Sequence, residues 1–343
     1  MRAAILRNGR MVVDDLPDLT PSAGQVLVEP IACGICGSDL HTVGGAHDMV
    51  AAAADAGHAG FLFDPDADLV MGHELSVRVL AVGSGVEGVA EGGAYAAMPV
   101  LEVPGVGRVL PGYDNNYPGG YSSQMLLHPD GLLAVPNGLD PKLAALTEPM
   151  AVGLHAVNES GIGRERTAVV VGCGPVGLAV IAALSASGVA TIIAADFSPT
   201  RRAMAARMGA HVVVDPAVAS VFDSWRDAGD GVEPPVVFEA VGVPGFIDSL
   251  MRDAPARSEL VIVGVCMQPD TFRPAIGVFK HLSLRFVLGW TPEEFAASLF
   301  NLAEGRIDGA ALVTGEVGIE GVPQAFADLA DPERHVKILV RPS

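Results

Sequence analysis

The chain changes rhythm once. Up to about residue 150, apolar positions come in short β-branched runs such as GQVLVEP, LSVRVLAVG and SSQMLLHP, broken by Gly and Pro. That pattern predicts short strands in an irregular, barrel-like domain. From TAVVVG onward, strand-like and helix-like runs alternate. TAVVVG, ATIIAAD, HVVVD, PVVFEAVG, ELVIVGV and LSLRFVLG read as strands, and PVGLAVIAALSAS, PTRRAMAARMG and PGFIDSLMRDA as helices between them. Such alternation predicts a parallel sheet with helices on both faces. The last part opens with TPEEFAASLFNLAEGR, where Thr291 suits an N-cap, Pro292 the first helical position, and Glu293 and Glu294 the first turn. It closes with HVKILV, a short strand.

Residues 167–195 carry no charge at all, so a membrane span has to be considered. Gly172, Gly174, Pro175 and Gly177 punctuate the stretch after a β-branched run, and Gly188 precedes another. The pattern is therefore a buried strand, turn, helix and strand. A chain of 343 residues predicts two domains. Its 21 basic against 40 acidic residues give a net charge of −19, and the longest basic run is Arg201–Arg202, which argues against nucleic acid and anionic membrane as partners. The four cysteines are too few and scattered for a secreted disulfide framework. The opening MRAAILRNGRMVVDDLPD breaks its apolar residues with Arg7, Arg10, Asp14 and Asp15, unlike a signal peptide. A reducing, cytoplasmic setting is the expectation.

Two groups of residues carry chemistry. In GCGPVG, Gly172, Gly174 and Gly177 flank Pro175 and Val176 in a G-x-G-x-x-G that follows a strand and opens a helix. The first glycine permits the tight turn, the second lets backbone approach a pyrophosphate, and the third lets helix pack on strand. Asp196 ends the next strand, placed to bind ribose hydroxyls and repel a 2′-phosphate, so NAD is expected; Arg201 and Arg202 nearby keep NADP in view. The plainer reading is an ordinary turn of a flavodoxin-like sheet.

The second group is ACGICGSDLH with Cys33, Cys36, Ser38, Asp39 and His41, then MGHELSV with His73 and Glu74, then LTEPMAVGLHAV with Glu148. A structural zinc knuckle would need further close Cys or His ligands, and a redox CxxC would need a thioredoxin-like continuation. A thiolate, an imidazole and a carboxylate from separate segments, with a fourth position open, suit a catalytic zinc. Zinc lowers the pKa of bound water from about 15.7 to about 7, roughly 12 kcal/mol, and should help an alcohol comparably. Ser38 and His41 offer a proton path toward solvent, and Asp39 could accept from the second nitrogen of His73.

GICGSDLH, GHE, EPMAVGLHAV and GCGPVG, in this order, resemble the zinc-dependent medium-chain dehydrogenase/reductase family, the alcohol, sorbitol and threonine dehydrogenase group. The resemblance runs from the opening strand to HVKILV. It implies an α/β plus β fold: a GroES-like β-rich catalytic domain (1–153) with an inserted Rossmann domain, a doubly wound parallel sheet (154–289), and a return to the catalytic domain (290–343). It implies Cys36 and His73 as zinc ligands and either Glu74 or Glu148 as the third, with Glu148 preferred and Glu74 able to exchange in. Cys33 matches no ligand and reads as a small buried apolar residue. VGV (Val263, Gly264, Val265) and VLG (Val287, Leu288) should wall the nicotinamide.

Two departures from that pattern stand out. Residues 88–125 contain no cysteine, so one zinc per chain and no structural zinc are expected, the lobe being packed around Tyr113, Tyr117 and Tyr121. Residues 44–70 are longer than usual, either shaping the substrate entrance or forming a plain surface insertion, with His47 and His58 solvated. The implied activity is reversible, NAD-linked oxidation of a small secondary alcohol or polyol by a homodimer or homotetramer paired along LSLRFVLG. A zinc-free quinone or enone reductase, or a non-catalytic NAD-binding protein, are the alternatives.

Overall fold

In the computed structural model, which describes residues 1–136, 138–228 and 233–342, one strand organises the β-rich part. Along Val26–Gly34 the residues Val26, Val28, Pro30 and Ala32 are buried while Leu27, Glu29 and Ile31 are half-exposed, the period-two pattern of a strand with one covered face. From Ala32 to Gly34 every residue is buried. The sheet runs Val313–Val317, Lys337–Val340, Val26–Gly34, Glu74–Val82, Ala94–Ala97, Leu132–Ala134, with Met125–Leu127 also paired to Val26–Gly34. In its register Gly34 lies opposite Glu74 on one side and Leu339 on the other. The end of one strand, the start of the next and the C-terminal strand thus meet in one place, three segments remote in sequence.

The second sheet has six parallel strands in the order Val212–Val214, Thr191–Ala195, Thr167–Val171, Val236–Glu239, Glu259–Ile262, Ser283–Phe286. Its inner strands are buried on both faces, which is why they read as unbroken apolar runs. All six runs read as strands are strands. The three runs read as helices form Pro175–Ala186, Pro199–Arg207 and Phe246–Asp253. The chain builds outward from Thr167–Val171 in one direction and then crosses to Val236–Glu239 on its other side, so the strand order reverses there. Among the described residues no helix is long and apolar enough to cross a membrane.

The chain divides into two compact units, Met1–Glu148 with Leu312–Ser343, and Pro149–Ala311. These junctions differ from residues 153 and 289. The helix Pro292–Ala303, capped by Thr291 and Glu294 as its sequence predicts, belongs to the second unit. Glu294 ties it there, meeting His155 Nδ1 at 2.9 Å and accepting from Asn158 Nδ2 at 2.8 Å.

The stretch over 44–70, longer than the family pattern, is helical in its first part. Gly37–Ala56 is one helix kinked at Gly45, closed by Gly57 in the left-handed region and followed by a single turn, Ala59–Phe61. The adjacent Gly44 and Gly45 conceal it, since glycine is a poor helix former. Thr42, Met49 and Ala53, at helical spacing, bury its inner face and hold it regardless.

Candidate active site

Cys36 follows the strand Val26–Gly34 and stands at the N-cap of the helix Gly37–Ala56. Its backbone N–H donates to Asp39 Oδ2 at 3.0 Å. His73, 8% exposed, ends the approach to the strand Glu74–Val82 and lies within hydrogen-bonding reach of the Cys36 side chain. Asp39 Oδ1 faces His73 Nδ1 at 3.6 Å, too far for a hydrogen bond, so that buried nitrogen has no partner.

Asp39 is fully buried and is held on its other oxygen by Tyr121 Oη at 2.6 Å. Burial pushes its carboxyl up, but His73, the Tyr121 hydroxyl and the Cys36 amide outweigh this and keep it below the usual range. Burial likewise opposes a charged His73, yet the Tyr113, Asp39 and Cys36 groups prevail and lift the imidazole well above its ordinary value.

A thiol and an imidazole near each other, with a buried nitrogen that lacks a hydrogen-bond partner and a carboxylate behind it, are the right donors for zinc. Among the described residues no three His, Cys, Asp or Glu side chains are drawn together tightly enough to cage a metal. One of the nearby carboxylates is already engaged. Glu74, wholly buried, gives both oxygens to Lys337 Nζ at 2.7 and 2.8 Å, and that ammonium also donates to the Ile35 carbonyl at 3.0 Å. Glu148, 9% exposed in the first turn of Thr147–Ser160, is near enough for its charge to act on Lys337. Burial lowers the Lys337 pKa, but Glu74 first, then Cys36 and Glu148, raise it past the ordinary value.

Ser38 Oγ accepts from Tyr113 Oη at 2.8 Å, while His41 is exposed one turn further along the helix. Burial keeps the Tyr113 phenol well above its usual range, so it stays a donor.

In the second unit the three glycines of GCGPVG divide their work. Gly172 has φ +92°, and a Cβ at Gly177 would stand 1.9 Å from the Gly172 carbonyl oxygen. The first makes the turn and the third lets the helix press against it. A Cβ at Gly174, by contrast, would meet nothing within 4 Å, so the N-terminus of Pro175–Ala186, with Val176, opens onto free space where an anion could sit.

Asp196 Oδ2 accepts from the Cys173 N–H at 2.7 Å and Oδ1 from the Ser198 N–H at 2.8 Å. Arg202 pairs with Asp215 at 3.1 Å and donates to the Asp196 and Phe197 carbonyls. Arg201 is half-buried in the same turn. Val263, Gly264 and Val265 follow the strand Glu259–Ile262, and Val287 and Leu288 follow Ser283–Phe286, at the same carboxyl edge of the sheet as GCGPVG. That edge, where the strand order reverses, is where open α/β sheets bind ligands.

Two family models match the chain: an alcohol dehydrogenase GroES-like domain over residues 22–137 and a zinc-binding dehydrogenase domain over 175–304. The (R,R)-butanediol dehydrogenase of Bacillus subtilis (strain 168) is 31% identical, the match spanning all of both chains. The chain belongs to the zinc-dependent medium-chain dehydrogenases. A sorbitol dehydrogenase of the same organism is 26% identical over 100% of this chain and 98% of its own. The crystal structure of 2R,3R-butanediol dehydrogenase from Bacillus subtilis is similar with a TM-score of 0.85 at 29% identity, covering 100% of this chain and 99% of that one. As a medium-chain dehydrogenase the chain is an oxidoreductase acting on an alcohol, of a class that works with zinc and a nicotinamide dinucleotide.

Of the residues singled out in the sequence, this medium-chain dehydrogenase brings Cys36, Ser38, Asp39, His73, Glu74 and Glu148 into its first unit, and the glycine turn and Asp196 into its second. Cys33 is buried and free, its thiol donating only to the neighbouring Gly34 carbonyl at 3.6 Å. Lys337, Tyr113 and Tyr121 are the participants that sequence reasoning missed. For Lys337 the sequence carried no signal: that every residue of the strand Lys337–Val340 is buried is visible only in the structure. The tyrosines read only as packing.

Proposed function

We propose that this chain oxidises a small secondary alcohol, a vicinal diol or a polyol to the ketone, reversibly, using NAD and one zinc per chain. The convergence of Cys36 and His73 at one end of the first sheet, with Ser38 in the same turn as Cys36, supports the reading above all. Cys36, His73 and Glu148 would hold the zinc, and Glu74 would enter only by leaving Lys337. Zinc at that place supplies a Lewis acid that acidifies an alcohol oxygen. NAD supplies the hydride acceptor.

The residues of the chain do the rest. Ser38 Oγ accepts the hydroxyl proton as its own leaves toward His41 and solvent, so that the alcohol gives up one proton and one hydride. Asp39 orients His73 from behind. The names of the two Bacillus subtilis relatives, butanediol and sorbitol dehydrogenases, favour a substrate with neighbouring hydroxyls. For the cofactor, Asp196 after the strand following the glycine turn would repel a 2′-phosphate, and Arg202 is committed to Asp215, which favours NAD over NADP. Val263, Gly264, Val265, Val287 and Leu288 would line the nicotinamide side.

A homodimer or homotetramer is part of this reading. Ser283–Phe286 is an edge strand, and Phe279, Phe286 and Leu288 beside it are 82%, 65% and 61% exposed. All four cysteines are free, in keeping with a reducing cytoplasm.

The test is metal content by mass spectrometry on purified protein and on Cys36→Ala, with an NAD-linked screen of diols and polyols. About one zinc per chain, lost in the variant along with turnover, is expected. Metal-replete protein without zinc, active on enones, would replace this reading with the zinc-free reductase.

A further inference from the structure

The segment between the kinked helix and His73 is bolted to the turn that carries Tyr113. Asn115 Oδ1 accepts from the Asp64 N–H at 2.7 Å, and Asn115 Nδ2 donates to the Asp64 and Asp68 carbonyls at 3.1 Å each. Further along, Gly119, Gly120 and Tyr121 donate backbone N–H groups to Val70, Gly72 and Met71 at 2.8, 2.8 and 3.0 Å. A Cβ at Gly119 would stand 2.5 Å from the Gly72 carbonyl oxygen, so the approach depends on glycine.

The side chains continue the brace. Phe61 meets the Tyr113 ring edge-on with centroids 4.7 Å apart, and Phe63 lies at 6.2 Å. His58 stacks on Phe61 at 5.0 Å. The Tyr113 ring also tilts against His73, with centroids 5.4 Å apart.

Packed among these rings and 4% exposed, Tyr113 aims its hydroxyl at two acceptors, Ser38 Oγ at 2.8 Å and Asp39 Oδ1 at 3.5 Å. A phenol has one proton to give, and the distances assign it to Ser38. The Ser38 O–H then cannot turn back toward Tyr113. Its proton and its second lone pair face the other way.

We propose that Tyr113 is a positioning residue that orients the Ser38 hydroxyl for proton transfer, and that Phe61 and Phe63, from the long segment before His73, serve to hold Tyr113 there. The proposal rests on the function proposed above, in which Ser38 is the first proton acceptor. It gives the segment a task inside the site rather than at its entrance.

The test compares Tyr113→Phe, Ser38→Ala, the double variant and Phe61→Ala as zinc-loaded full chains, with zinc content measured for each. Ser38→Ala is expected to lower kcat about 100-fold and Tyr113→Phe about tenfold, with KM changed less than about twofold. Because both act through one hydroxyl, the double variant should match Ser38→Ala, not the product of the two. Phe61→Ala, which keeps the hydroxyl but removes its brace, should lose several-fold. Multiplying effects, or wild-type kcat in Tyr113→Phe beside an impaired Ser38→Ala, would overturn the positioning role alone. Wild-type kcat in Ser38→Ala would overturn the proton path itself. A readout independent of turnover is the crystal structure of Tyr113→Phe: Ser38 should spread over more than one rotamer, and a single unchanged rotamer refutes the proposal.

Discussion

Replacing Lys337 with Met should be among the most damaging single changes available in the first unit. The structure sets the size of the effect. Lys337 is 3% exposed and Glu74 wholly buried, and the ammonium covers both carboxylate oxygens at 2.7 and 2.8 Å. Taking away one member of such a pair strands the other charge out of water, at a cost of about 3–5 kcal/mol. For a unit of this size that is a fall of roughly 6–20 °C in its melting temperature. Glu74→Leu should cost a similar amount, since Lys337 would lose both carboxylate oxygens it donates to.

The double variant, Lys337→Met with Glu74→Leu, buries no charge and should lie within about 2 kcal/mol of wild type. Calorimetry on chelator-treated protein at pH 7 reads the difference without the contribution of metal binding. The sign of the pH effect supports that choice. Folding raises the Lys337 pKa, so the stabilisation is complete below the unfolded value of about 10.4 and is lost only as pH rises through the folded one. A Lys337→Met protein within about 1 kcal/mol of wild type would refute the reasoning, because it would mean the carboxylate finds water or another partner.

The same geometry bears on the glycine turn and on metal uptake. Gly177→Ala forces a methyl group to within 1.9 Å of a backbone oxygen and should destabilise the second unit by several kcal/mol, whereas Gly174→Ala points into open space and should fold normally while weakening NADH binding about tenfold. Calorimetry and NADH fluorescence separate the two, and equal destabilisation would contradict the division of labour among the glycines. Zinc uptake by metal-free protein at pH 7 should release at least one proton per metal, because the raised His73 pKa means its proton must be displaced, and affinity should climb with pH. Titration calorimetry in buffers of different ionisation enthalpy would measure this; no proton release would show that His73 is neutral before the metal arrives.

Much of this protein is legible along the chain. The parallel sheet is written in unbroken apolar strands alternating with helices, and the glycine turn with Asp196 announces its ligand edge, because those signals are local: a strand, a turn and a helix N-terminus need only neighbours in sequence. The same holds for Cys36 and Ser38, which share one turn, and for Thr291 and Glu294, whose capping box spans three residues. Even the kinked helix Gly37–Ala56 could have been found in its alanine run, had the paired glycines not outweighed it.

What the tertiary structure alone decided is which remote groups meet. Antiparallel register puts Glu74 opposite Gly34 and draws Lys337 from the far end of the chain onto it, and that commits a carboxylate which the sequence left open as an alternative metal ligand to Glu148. The buried ammonium could not be inferred from HVKILV, where a lysine on a strand is ordinarily solvated. Nor could the role of residues 57–70, whose aromatic rings matter only because Asn115 and three glycine-rich backbone contacts bring Tyr113 beneath them. Local propensity chose the elements; register and close backbone approach, which depend on residues distant in the chain, chose the chemistry they assemble.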